Sequence, residues 1–149
     1  MQTKRQIIRL SKSCIGPSEI DAVTKVLKKE FLGMGDQVKE FEDQLSELFG
    51  RPVVCVVNGT AALHLALQAI GLNSGDEVLV QSLTYVASIQ AITSTNAKPV
   101  FCDINPETLT IDLADAEKRI SSKTKAIMPV HYAGGVGNLE EIYSFAKKH

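Results

Sequence analysis

The chain has 149 residues, 44% of them apolar, and a formal net charge of -1 at neutral pH. That length suffices to bury one substantial core, and the near-neutral balance with scattered Lys and Arg gives no footing to nucleic-acid binding. No run approaches the ~20 apolar residues of a membrane span, and the basic start MQTKRQIIRL lacks the apolar core and cleavage site of a secretory signal, so a cytoplasmic location is the expectation.

In chain order, the first fourteen residues read as an extended polar arm anchored by Ile7, Ile8 and Leu10. Gly16-Pro17-Ser18-Glu19 then has the make-up of a helix start, with proline suited to the first turn and an acid near the N-terminus. Ile20, Val23, Val26 and Leu27 recur at helical spacing, which predicts a helix to about Lys29. A break at 31–35 follows, Asp36 is placed to cap a second helix, and Val38, Phe41, Leu45 and Leu48 form its apolar face. Gly50 marks its end. These pieces predict an organisation with residues 1–35 as arm and first helix and 36–149 as one larger domain.

From residue 53 the pattern alternates. A β-branched run at 53–57 reads as a strand, 60–70 as a helix closed by Gly71, 77–80 as a strand after the turn Asn73-Ser74-Gly75-Asp76, and 86–94 as a helix. Residues 99–103 and 125–130 read as two more strands, and 113–120 and 139–148 as two more helices. Almost wholly apolar strands alternating with helices predict a three-layer αβα fold around a mostly parallel sheet covered on both faces. Ligands of such sheets collect at the carboxyl ends of the strands. Those ends are Asn58-Gly59-Thr60, the stretch 81–85 (QSLTY), Asp103, and His131-Tyr132-Ala133-Gly134.

The stretch VVCVVNGTAALHLAL (53–67) carries the most chemistry. A strand delivers a tight turn that opens a helix N-terminus, whose first amides lack intrahelical acceptors and whose dipole favours an anion such as phosphate. Gly59 lets the backbone approach a ligand, Thr60 offers a hydroxyl, and the amides of Thr60 and Ala61 face outward; a plain glycine turn with a Thr cap is the competing reading. Tyr85 is the one aromatic at the mouth of its strand. It reads either as packing or as a ring that lies flat on a planar cofactor. His131 reads as a histidine hydrogen-bonded at a sheet edge, and His64 as structural. Cys14, Cys55 and Cys102 form no CxxC pair; Cys55 and Cys102 read as buried free thiols, and no metal site is expected.

Taken together, the segments IGPSEIDAVTKVL, LGMGDQVKEFEDQLSELFG, VNGTAALHLAL, NSGDEVLVQSLTYVAS, AKPVFCDINPETLTID and TKAIMPVHYAGG, with a closing helix, resemble the DegT/DnrJ-type aminotransferases. These are enzymes that use pyridoxal 5′-phosphate (PLP) to aminate keto sugars carried on nucleotides. The resemblance implies the aspartate-aminotransferase fold, a homodimer, glutamate as amino donor, and a role in cell-surface polysaccharide or amino-sugar biosynthesis. It places Gly59, Thr60 and Ala61 at the PLP phosphate and Tyr85 on the pyridine ring. Family members commonly carry an acid where this chain has Asn138. They also run on beyond the position of His149, to an acid for the pyridine nitrogen and to the lysine that attaches PLP covalently. No lysine here stands in that motif, so no catalytic residue is assigned. The chain is expected to be a truncated N-terminal portion of the large domain, inactive alone and self-associating. The alternative is a non-catalytic subunit that binds a nucleotide sugar or regulates a partner.

Overall fold

The computed structural model describes residues 11–149, and the expected anchors Ile7, Ile8 and Leu10 lie outside that range. The chain divides into two compact units, one ending at Cys55 and the other beginning at Val56.

In the first unit, helix α1 (Pro17–Leu27) starts as its sequence dictates, with Pro17 in the opening turn. The Gly16 amide donates to Glu19 Oε2 at 2.6 Å, which satisfies one of the orphan donors at the helix start. That bond, with a lesser one from the Ser18 hydroxyl, holds the Glu19 carboxyl below its ordinary range. Helix α2 spans Asp36–Phe49. Its N-cap is Gly35, and Asp36 is the first helical residue, where its charge faces the positive end of the dipole. Gly50 ends α2 in the left-handed region, at φ 62, a conformation that a residue with a Cβ adopts only under strain. The apolar stripes are present as expected. None of their residues is buried: Val23 is 58% exposed and Leu48 74%.

The expected strand at 53–57 is a correction. The segment is irregular and enters no ladder. A strand exists by pairing, and among the described residues this run meets no second strand. Side chains of α2 take two of its amides instead: Val53 N donates to Ser46 Oγ at 2.9 Å and Cys55 N to Glu42 Oε1 at 2.7 Å. Cys55 is accordingly half-buried rather than buried.

The second unit is built on three parallel strands, β1 (Glu77–Gln81), β2 (Lys98–Cys102) and β3 (Thr124–Met128), in the order β2-β1-β3. The sheet thus has three strands where four were expected. Helices α3 (Gly59–Ala69), α4 (Val86–Thr93), α5 (Leu113–Lys118) and α6 (Leu139–Lys148) complete it. The two-residue period of a strand sorts the core into two halves. Val78 and Val80 point to one face and pack with Leu67 of α3 and with Ala91 and Ile92 of α4. Leu79 points to the other and packs with Cys102, Ile111, Ala116 of α5 and Ile142 of α6. Both faces of β1 are covered, while Phe101 on β2 remains 47% exposed. Burial pushes the Cys102 thiol pKa up.

The edges of the sheet differ. Lys98 N donates to Asp76 O and Ser82 N to Cys102 O, both at 2.8 Å, so Lys98 and Cys102 turn their backbone toward β1. Pro99 and Phe101 therefore turn theirs outward, and Pro99 has no N–H to offer.

Candidate functional site

Connectivity alone brings two helix starts together. Each of α3 and α4 runs back from the carboxyl end of the sheet toward the beginning of the next strand, and both pack on the same face and along each other. Their N-termini, at Gly59 and after Tyr85, therefore share the carboxyl-end side, which is where the sequence places its candidate residues.

At the start of α3 the capping residue is Asn58, in an extended conformation, rather than Thr60. Its Oδ1 accepts the Ala61 amide at 2.8 Å, and its carbonyl accepts from Ala62 N at 3.1 Å. The amides of Gly59 and Thr60 have no acceptor among the described residues and are free to donate outward. Thr60 and Ala61 are half-buried. A methyl group built on Gly59 would meet no atom within 4 Å, so the space beside this turn is open. The turn thus presents two free donors at the positive end of an eleven-residue helix.

Tyr85 stands at the N-cap position of α4 with 77% of its surface exposed, and it stacks on no other ring among the described residues. Among the described residues the ring is therefore not packed. What is fixed is its backbone. Its carbonyl accepts from Ser88 N at 3.1 Å, and Thr84 Oγ1 lies 2.8 Å from Ser88 Oγ. The ring is presented on a tied base.

The other strand ends are occupied differently. Asp103 accepts its neighbour Ile104 N on Oδ1 at 2.8 Å, and its own amide donates to Asp115 Oδ2 at 2.7 Å. Asp115 is held well below the ordinary carboxylate range, mainly by Arg119, whose Nε lies 2.5 Å from Oδ2, and then by that Asp103 amide. Asp103 and Asp115 thereby lash α5 to the end of β2. His131 is exposed, and its ring has no hydrogen-bond partner among the described residues, against the expectation of a bonded edge histidine. The segment after it turns sharply, with Ala133 at φ 52 and Gly134 at φ 82. In α3, His64 Nε2 is buried with no partner.

One residue that the sequence shows only as the polar end of an apolar strand turns out to organise these exits. Gln81 is fully buried at 0% exposure. Its Nε2 donates to Leu83 O at 2.9 Å and Leu109 O at 3.2 Å, and its Oε1 accepts Val130 N at 3.0 Å. The alternation in EVLVQ signals an inward side chain; only the fold shows what it reaches.

With this geometry in view, comparison with known proteins is direct. The model of the DegT/DnrJ/EryC1/StrS aminotransferase family matches residues 13–149. Over 145 residues the chain is 36% identical to the dTDP-4-dehydro-2,3,6-trideoxy-D-glucose 4-aminotransferase of Saccharopolyspora spinosa, covering 95% of this chain and 38% of that protein. It is 37% identical over 150 residues to the spore coat polysaccharide biosynthesis protein SpsC of Bacillus subtilis, covering 100% and 39%. Among solved structures, a protein named as a sugar aminotransferase, Spr1654 of Streptococcus pneumoniae in its PLP form, superposes with a TM-score of 0.87 at 36% identity, covering 95% of this chain and 36% of that one. The chain thus spans less than two fifths of the length of these relatives, and it belongs to the DegT/DnrJ/EryC1/StrS aminotransferase family.

Proposed function

We propose that this chain supplies the phosphate-holding and ring-holding part of a PLP-dependent aminotransferase that moves an amino group, from glutamate, to a keto sugar carried on a nucleotide. The product would enter cell-surface polysaccharide or amino-sugar synthesis. We place the enzyme in the cytoplasm as a homodimer. The names of the relatives support the reaction class, and no helix among the described residues is long and apolar enough to cross a membrane.

The observation that carries this reading is the pair of unpartnered amides at Gly59 and Thr60 beside open space, on a helix that packs along the one headed by an exposed Tyr85. These residues fit PLP. The two amides and the α3 dipole favour the phosphate dianion, and the Thr60 hydroxyl adds a third donor. Ala61 contributes backbone position, since its amide is already held by Asn58 and joins the phosphate only if that side chain swings away. Tyr85 offers a ring face whose offset stacking adds about 0.5–1.5 kcal/mol beyond area burial. When bound, PLP supplies an electrophilic carbonyl and an electron-withdrawing ring through which an amino group is exchanged. Orienting that ring and neutralising its phosphate are the tasks of these residues.

Titration of the full-length protein with PLP, followed by absorbance, tests the reading. Thr60→Ala and Tyr85→Ala should each weaken binding by roughly 3- to 10-fold, as the loss of one stacking or hydrogen-bond contact implies. Unchanged affinity in both variants would remove the basis for the assignment. Glutamate-dependent amination of a dTDP-linked keto sugar then tests the reaction itself.

A further inference from the structure

The carboxamide of Gln81 touches the exits of all three strands. Leu83 follows β1 and precedes Tyr85, Leu109 lies in the loop after β2, and Val130 follows β3 and precedes His131. Its two donor hydrogens go to two carbonyls and its oxygen accepts one amide, so the network itself fixes which end of the side chain is which. No other uncharged side chain of this reach offers two donors and an acceptor together. Leucine would leave three partly buried backbone groups without this partner, and asparagine is one carbon too short to span them. Leu109, whose carbonyl takes one of these bonds, stands at φ 58, a left-handed conformation that a residue with a Cβ holds only when its surroundings impose it.

We infer that Gln81 is the positioning residue of the site: by tying the exits of β1, β2 and β3 to one buried carboxamide, it sets where Tyr85 presents its ring. This rests on the reading of Tyr85 as the platform for the cofactor. Gln81 itself, wholly buried on the α5–α6 side of the sheet beside Leu79 and Cys102, acts only through the backbone segments it holds.

Three measurements on the full-length protein test it. In the unsubstituted protein, hydrogen exchange should find the Val130 amide protected to the same degree as the amides of β1. Exchange at the rate of a free loop amide would overturn the bond on which the inference stands. In Gln81→Asn, chosen because it keeps a polar group at the site, the segments 82–85 and 129–131 should exchange faster together, while α3 and α6 keep their protection. Faster exchange spread evenly over the fold would assign Gln81 a general structural role instead. Finally, PLP affinity and the circular dichroism induced in the bound cofactor are compared for Gln81→Asn and Gln81→Leu with Tyr85 intact and in a Tyr85→Ala background. We expect about a 3-fold loss of affinity, no larger than that of Tyr85→Ala, and a weakened band with Tyr85 present, and no further loss of affinity without it. Equal losses in both backgrounds would overturn the inference. If Tyr85→Ala alone leaves affinity unchanged, the platform reading falls and this inference falls with it. If Tyr85→Ala weakens binding and the Gln81 variants do not, only the role of Gln81 is lost.

Discussion

In the unit that ends at Cys55, α1 and α2 carry apolar stripes at helical spacing and yet bury none of their residues; beyond Val56 the same residue types are closed against a sheet. The difference lies in what each unit offers as a counter-surface. A helix has one apolar stripe and must find another element to cover it, whereas one buried strand such as β1 feeds two cores at once through its alternating side chains. Val78 and Val80 anchor the α3–α4 layer while Leu79, one residue over, anchors the α5–α6 layer. Sequence periodicity therefore reports that a face suits burial. Whether it is buried depends on what else the chain brings.

The comparison is broken most directly by truncating one side chain in each unit. Leu79→Ala, at 1% exposure, should cost about 2–5 kcal/mol in denaturant unfolding. Leu48→Ala, at 74%, should stay within about 0.5 kcal/mol. Comparable losses would mean that the first unit is better covered than its exposure indicates. Next in size is Gly50→Ala, which forces a Cβ into φ 62 and should cost about 1–2 kcal/mol. With no core to hold it, the strain should appear as fraying of the end of α2, read as faster amide exchange there, and not as a lower midpoint for the sheet.

Asn58→Ala sharpens the picture of the second unit. Loss of the α3 cap should lower stability by about 1 kcal/mol in thermal unfolding. The same change frees the Ala61 amide, so PLP affinity should hold or improve; a loss of affinity would show that Asn58 serves the ligand directly. The smallest effect concerns acid. Because the folded pKa of Asp115 is depressed, its contribution is complete above the ordinary carboxylate range and is lost as pH falls through its folded value. Asp115→Asn should therefore flatten the acid limb of the stability–pH curve and leave its slope near neutrality unchanged. A change on the neutral side would contradict the assignment.

Most of the second unit was legible because its signals are local. Apolar runs gave β1–β3 to within a residue or two, Asn-Ser-Gly-Asp gave the turn before β1, and the last helix fell at Leu139–Lys148 as expected. The run at 53–57 misled because β-branched composition reports only that a segment can pair, and pairing needs a partner that sequence does not name. Asn58 and Thr60 are separated by a single residue and both suit a cap, so composition alone does not say which of them caps α3. Gln81 was unreadable for another reason: its partners lie 2, 28 and 49 residues away, and only the assembled sheet places them around one side chain.

Pro99 has a further consequence, for what each edge of the sheet can accept. With its nitrogen facing outward from β2, that edge offers only the Phe101 amide to an incoming strand, whereas β3 contains no proline from Thr124 to Met128. Strand addition is therefore disfavoured at the β2 edge relative to β3. Of the two edges that this segment builds, β3 is the one suited to take a further strand, and β2 is the one its own sequence closes.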